Sequence, residues 1–195
     1  MSAPDRAELR TRMLAWRGAL PGDEVRRRSA RASRLLCDLA EFAAARSVMG
    51  YMAVRGELDP MHAMSEVVTR GRHLALPALG KDCLDPRPWA PGEPLEANRY
   101  GIGEPIASTR GAHTPDLVIV PAVALDACGR RLGMGGGWYD RSLAFRRDRP
   151  APPPWLVGAG FSVQRIDTVS PEPWDVPLDA VCTESETLSP HATSA

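Results

Sequence analysis

The run Leu117-Val118-Ile119-Val120-Pro121 is apolar at every position, so a strand built from it must bury both of its faces. Strand-length apolar runs recur at Ser47–Val54, His73–Pro77, Trp155–Phe161 and Asp179–Thr183. Between and before them the apolar residues fall at helical spacing. Leu9, Met13, Trp16 and Leu20 mark a helix from Pro4 to Leu20, with Arg6, Arg10 and Arg17 on its other faces. Pro21-Gly22 ends that helix, and Val25, Leu35, Leu36 and Leu39 mark a second reaching about Phe42. Pro60 opens a third that runs to Arg70, with Asp59 as its N-cap. A fourth spans Trp138 to about Arg146. Residues 80–115 read as loops with one or two weak strands around Trp89. Strands alternating with helices predict an α/β fold: three layers, α/β/α, Rossmann-like, with a mainly parallel central sheet. Ligands in such folds bind beyond the carboxyl ends of the strands.

At 195 residues and 44% hydrophobic content the chain can bury a core of its own. Residues 1–184 are expected to form a single domain and 185–195 a disordered C-terminal tail. The formal net charge is zero, which gives no pull toward nucleic acid or an anionic membrane. No apolar run approaches the ~18 residues of a membrane span. Cys37, Cys83, Cys128 and Cys182 stand far apart, and His62, His73, His113 and His191 lack metal-ligand spacing, so neither a disulfide framework nor a zinc site is indicated. A cytoplasmic, monomeric protein is the expectation. Charge is unevenly distributed: residues 1–46 hold ten Arg against six Asp and Glu, and residues 151–195 one Arg against six. If both ends reach one site, it has an anion-binding and a cation-binding side.

The segment Arg131-Leu132-Gly133-Met134-Gly135-Gly136-Gly137-Trp138-Tyr139-Asp140 places four glycines in five positions ahead of a helix. Such a backbone turns tightly and presents N–H groups to phosphate oxygens, helped by the positive end of the helix. Arg131 can add a mobile positive charge, and Asp140 can hold a metal ion bridging phosphates. The alternative is a plain flexible linker. Pro171 to Asp179 is an acidic segment stiffened by three prolines, suited to magnesium or ribose binding, or else a solvated surface loop. Glu57, just past the first strand, can accept hydrogen bonds from the N–H groups of a heterocycle. Arg6 and Arg10, one helical turn apart, can hold a phosphate chain together or simply be solvated.

In this order the motifs resemble the 5-formyltetrahydrofolate cyclo-ligase (methenyltetrahydrofolate synthetase) family, most specifically in Gly133–Asp140 and Glu172–Glu184, with support from Arg55–Asp59 and Tyr100–Pro105. The resemblance implies a NagB/RpiA/CoA-transferase-like sheet and an enzyme that converts 5-formyltetrahydrofolate to 5,10-methenyltetrahydrofolate with ATP and Mg²⁺. By the same resemblance ATP would be held by Arg6, Arg10, Arg131 and Gly133, Met134, Gly135, Gly136, Gly137, Trp138 and Tyr139. Glu57 and Tyr100 would bind the folate, Asp140 and Asp179 the metal, and Arg131 and Asp140 would act in catalysis. The chain departs from the family's usual Lys at Arg6, Tyr at Met134 and Trp138, and Met and an aromatic at Leu84 and Pro86. An enzyme of this family acting on a different formyl or amide substrate is the alternative.

Overall fold

The computed structural model describes residues 5–106, 114–148 and 152–190. Helices α1 (Arg6–Ala19), α2 (Gly22–Cys37) and α3 (Ala40–Ala44) precede β1 (Ser47–Met49), and α4 (Met61–Thr69) leads from β1 to β2 (His73–Leu79). Next come β3 (Leu84–Pro88) and the hairpin of β4 (Leu95–Ala97) with β5 (Gly103–Pro105). β6 (Leu117–Pro121) runs into a second hairpin, β7 (Ala124–Leu125) with β8 (Arg131–Leu132), followed by α5 (Trp138–Ser142) and α6 (Phe145–Asp148). β9 (Trp155–Ala159), β10 (Ala180–Cys182) and β11 (Thr187–Leu188) complete the order.

Seven strands form one sheet in the order β11-β10-β9-β6-β1-β2-β3. The five inner strands are parallel, and β3 and β11 are antiparallel edges. Alternation along the central strand divides its side chains between two cores. Leu117 and Ile119 join one with Phe42, Met64, Val67 and Phe161, beneath α2, α3 and α4. Val118 and Val120 join the other with Leu125, Leu143, Val176 and Leu178. Neither face of β6 meets water, as its uninterrupted apolar sequence requires. A third cluster packs Leu9 and Met13 of α1 against Val123, Ala124 and Leu132, which seats α1 on the second hairpin.

Local chemistry sets several element ends. The Asp5 side chain accepts from Ala7 N at 3.2 Å and opens α1. Asp59 Oδ1 accepts from Met61 N at 2.9 Å just ahead of α4, while the N-cap position itself falls to Pro60 and not to Asp59 as expected. The expected second helix is two, α2 and α3, and the expected fourth breaks at Leu143–Ala144 into α5 and α6. The first strand is shorter than its apolar run: beyond Met49 the chain leaves the ladder, although Tyr51 stays buried and Met52 and Ala53 pack on the core.

Two expectations are corrected. The stretch read mostly as loop contains β3, β4 and β5; Pro86 and Pro88 mask β3, and an edge strand is where proline is tolerated because one row of N–H groups has no ladder to join. Nor is the segment after Glu184 all tail. Val181 and Cys182 pair with Leu188 and Thr187, the Thr183 hydroxyl accepts from Ser185 N and Glu186 N at 3.1 Å, and Glu186 meets Arg165 at 2.7 Å. Residues 191–195 lie outside the described residues. Deleting 185–195 should strip the edge of β10 and lower unfolding free energy by about 2–4 kcal/mol through the lost hydrogen bonds, as read from urea titration against the full chain.

Candidate active site

The strand order reverses at β1, which has β2 on one side and β6 on the other, so the chain leaves the carboxyl ends of β1 and β6 in divergent directions. That is where an open α/β sheet offers a crevice. The loop leaving β1 carries Arg55, Gly56 and Glu57. The path leaving β6 passes through the β7–β8 hairpin before it reaches the glycine segment, so the glycines follow a short hairpin strand and not the central strand itself.

Three arginines hold the glycine segment. Arg10 Nε donates to Gly133 O at 2.8 Å, and Arg141 Nη1 donates to Gly136 O at 2.8 Å while its Nε reaches Asp82 O at 2.7 Å. Arg131 is buried; its Nη1 donates to the Val176 carbonyl and its Nη2 to Asp140 Oδ1 at 2.5 Å. Arg131 is therefore a fixed staple between β8, α5 and the acidic segment, not the mobile charge expected. Gly135 and Gly137 have φ of 96° and 64°, and a Cβ on Gly137 would stand 2.8 Å from Arg141 Nη1. Position 137 thus favours glycine for its backbone, and a side chain there would also displace the end of Arg141 from its bond to Gly136 O. Because α5 is only five residues long, few aligned peptide units contribute a dipole, and the positive charge around the loop comes mainly from side chains.

Arg6 and Arg10 part company. Arg6 Nη1 donates to Asp175 Oδ2 at 2.8 Å and to Ser170 O at 2.6 Å, whereas Arg10 faces the glycines. The oppositely charged ends of the chain do meet, and they are partly satisfied by each other: Arg6 with Asp175, and Arg28 with Glu184 at 2.7 Å.

A model of the 5-formyltetrahydrofolate cyclo-ligase family matches residues 2–184. The chain belongs to that family. It is 31% identical over 155 residues to the 5-formyltetrahydrofolate cyclo-ligase of Escherichia coli K12, covering 73% of this chain and 80% of that one. The Haemophilus influenzae cyclo-ligase is 28% identical, with 91% and 97% covered. Among solved structures, the Aquifex aeolicus 5,10-methenyltetrahydrofolate synthetase superposes with a TM-score of 0.81 at 30% identity, over 97% of this chain and 95% of that one.

In this cyclo-ligase family member, Glu57 lies at the mouth of β1, its Oε2 accepting from Val54 N at 3.2 Å and its Oε1 lying 3.7 Å from Arg17 Nη1. Burial pushes its carboxyl up, and Arg17, the Val54 N–H and Arg55 pull it back down. Tyr139 feels the Glu57 charge, which adds to the larger effect of burial in raising its phenol, and α1 reaches both Gly133 through Arg10 and Glu57 through Arg17. Tyr100, half exposed at the turn between β4 and β5, reaches the same loop. The Arg99 guanidinium lies 5.2 Å from the Tyr100 ring centre and 5.3 Å from that of Trp138, and Arg141 covers Trp138 at 4.8 Å. The nearby Trp138 side chain, then Arg99, lowers the Tyr100 phenol. Met134 is exposed beside these groups in sequence, and the partly buried Leu84 and Pro86 lie on β3, whose Leu84 N donates to Ser142 Oγ of α5 at 2.7 Å.

The carboxylates expected to hold metal have different surroundings. Asp140 Oδ1 accepts from Arg131 and from Val176 N at 3.1 Å, and Oδ2 carries no hydrogen bond among the described residues. Asp179 is buried with both oxygens engaged: Arg146 Nη2 lies 2.7 Å from each, and Leu156 N donates to Oδ2 at 2.8 Å. No group of three or more His, Cys, Asp or Glu able to hold a metal occurs among the described residues. An open groove of ≈ 420 Å³ lies along α2, lined by Arg27, Arg28, Arg31, Arg34 and Glu184 among others, and includes none of the expected site residues.

Sequence reading missed Arg17, Arg141 and Arg146. Arg17 left a signal: it falls in register with Leu9 and Met13, at the four-residue spacing of the buried stripe, and all three are buried. Asp179→Ala should lower unfolding free energy by about 3–5 kcal/mol, because it removes the carboxylate from a buried ion pair with Arg146. Denaturant unfolding checks this, and an unchanged midpoint contradicts it.

Proposed function

We propose that this chain converts 5-formyltetrahydrofolate to 5,10-methenyltetrahydrofolate at the expense of ATP, with the nucleotide phosphates on the glycine segment and the folate between Glu57 and Tyr100. The observation that carries this reading is that Arg10 and Arg141 donate to the glycine backbone and Arg131 fixes Asp140 at its end, while α1, which supplies Arg10, also sets Arg17 against Glu57, in a chain of this family.

The chemistry follows from what the substrate contains. The γ-phosphoryl group passes to the formyl oxygen and ADP leaves; N10 of the same folate then attacks the activated carbon, and inorganic phosphate departs as the ring closes. With the nucleophile inside the substrate, the protein needs only to bind, orient and neutralise. A thiolate nucleophile has no support from the two more buried cysteines, because burial pushes the thiols of Cys37 and Cys182 up to about 11 and about 12. Arg10 and Arg141 shape the loop through its carbonyls, leaving its N–H groups to the phosphates. Arg6 can join them by exchanging Asp175 for phosphate. Trp138 and Tyr100, bridged by Arg99, offer flat faces for the heterocycles, and Glu57 offers an acceptor.

The donor set fits a magnesium ion carried on the phosphates, since that ion keeps several waters and needs only one or two protein carboxylates. Asp140 Oδ2 is the oxygen we assign to it; Asp179 can contribute by giving up a bond to Arg146. Bound there, the ion would neutralise charge on the phosphate oxygens.

We read the protein as a cytoplasmic monomer. Four free cysteines support a reducing compartment, and no helix among the described residues is long and apolar enough to cross a membrane.

Purified protein should give an ATP-dependent rise in methenyltetrahydrofolate absorbance from 5-formyltetrahydrofolate, and no rise would sink the reading. Asp140→Asn should cut kcat by about a hundredfold or more in a protein that stays folded at the assay temperature, with its melting temperature lowered by the weakened bond to buried Arg131. Full activity in that variant would remove Asp140 from the site.

A further inference from the structure

Arg17 is the most unusual polar group in the molecule. Its side chain is fully buried, and Nε, Nη1 and Nη2 all lack a hydrogen-bond partner among the described residues. Burying a guanidinium in this way costs stability, and the carboxylate it faces, Glu57, is only 10% exposed. Desolvation accordingly lowers the affinity of Arg17 for its proton, while Glu57 opposes that effect. The contact is also enforced by backbone. Gly56 has φ of 70°, and a Cβ there would stand 3.0 Å from the Arg17 carbonyl, so the loop after β1 sits directly on the last turn of α1.

We propose that Arg17 is a positioning residue: from beneath the site it holds Glu57 as an oriented, ionised acceptor for the N–H groups of the substrate's heterocycle, without touching substrate itself. This rests on the assignment of Glu57 to the folate. Four groups face that carboxyl electrostatically: Arg17 from α1, Arg55 in its own loop, Tyr51 just past β1, and Tyr139 on α5. Arg17 is the larger of the two cationic influences opposing burial. Without it, only the Val54 N–H and Arg55 oppose desolvation, the carboxyl takes up its proton at higher pH, and the neutral acid accepts less well than the carboxylate. Loss of Arg17 should therefore weaken folate binding first, and increasingly as pH falls.

The test uses the full chain with Arg17→Met, Arg17→Lys, Glu57→Gln and the Arg17→Met/Glu57→Gln pair. KM for 5-formyltetrahydrofolate and for ATP is measured across pH, alongside kcat, direct folate binding and melting temperature. Arg17→Met should raise folate KM about tenfold or more at neutral pH, because the hydrogen bond from folate to a Glu57 carboxylate that is no longer oriented and charge-stabilised weakens, while ATP KM moves by less than about twofold. Its folate KM should begin to climb at a higher pH than in the unsubstituted protein, because the carboxyl that has lost the Arg17 charge takes up its proton sooner as pH falls. Arg17→Lys should recover part of the loss, and the double variant should bind folate no worse than Glu57→Gln alone. Melting temperature should change little with Arg17→Met, because the side chain makes no hydrogen bond to lose and the Glu57 carboxyl left without its 3.7 Å partner can take up a proton, so no unpaired charge stays buried. Additive effects of the two substitutions, an unmoved pH profile, or parallel rises in both KM values with a lowered melting temperature would each overturn the proposal. Failure of the unsubstituted protein to bind or turn over 5-formyltetrahydrofolate would instead overturn the functional reading, before any variant is compared.

Discussion

The buried guanidinium of Arg131 ties together three segments that would otherwise only lie near one another. It belongs to β8, donates to Asp140 at the start of α5, and donates to the Val176 carbonyl in the proline-stiffened segment before β10. A planar group with fixed donors can impose such a geometry where a flexible ammonium would not. Asp140 completes the clamp by taking the Val176 N–H. The glycine segment is thus held at its strand end by Arg131, at Gly133 by Arg10 and at Gly136 by Arg141. A backbone rich in glycine loses much conformational entropy on ordering, and these charged hydrogen bonds offset that loss.

A consequence is that charge in this protein is largely committed to architecture before any ligand arrives. The basic first helices and the acidic last segments neutralise one another through Arg6–Asp175 and Arg28–Glu184, and Asp179 is spent on Arg146 and the Leu156 N–H. Ligand binding at the glycine segment then becomes an exchange of partners for some of these groups, and Arg6 is the clearest case, being partly exposed and bound to a carboxylate that phosphate can replace. Arg17 is the opposite case, inaccessible and acting only through Glu57.

Much of the fold was legible because burial leaves a period in sequence. The central strand stood out through five apolar residues in a row, and the helices through their three- and four-residue spacing. Failures have equally physical causes. Tyr51 and Met52 extend the first apolar run without joining the ladder, since burial does not require strand pairing. Pro86 and Pro88 hid β3, because an edge strand tolerates residues that a central strand rejects. Thr187 and Leu188 looked like tail and became an edge strand only because β10 presents unpaired groups at that point. For the candidate site, the glycine segment, Glu57 and Tyr100 were found as separate pieces; their common neighbourhood was not deducible from spacing.

Sequence by itself determined the class of sheet, the family, and which residues carry chemistry, since composition, periodicity and local motifs are properties of neighbours along the chain. Tertiary structure alone decided who partners whom. It turned Arg131 from a mobile charge into a staple, separated Arg6 from Arg10, engaged both oxygens of Asp179, and set Arg17 beneath Glu57. The reason is that electrostatic partnership depends on distance and burial between residues as far as 169 positions apart, and no local period records either.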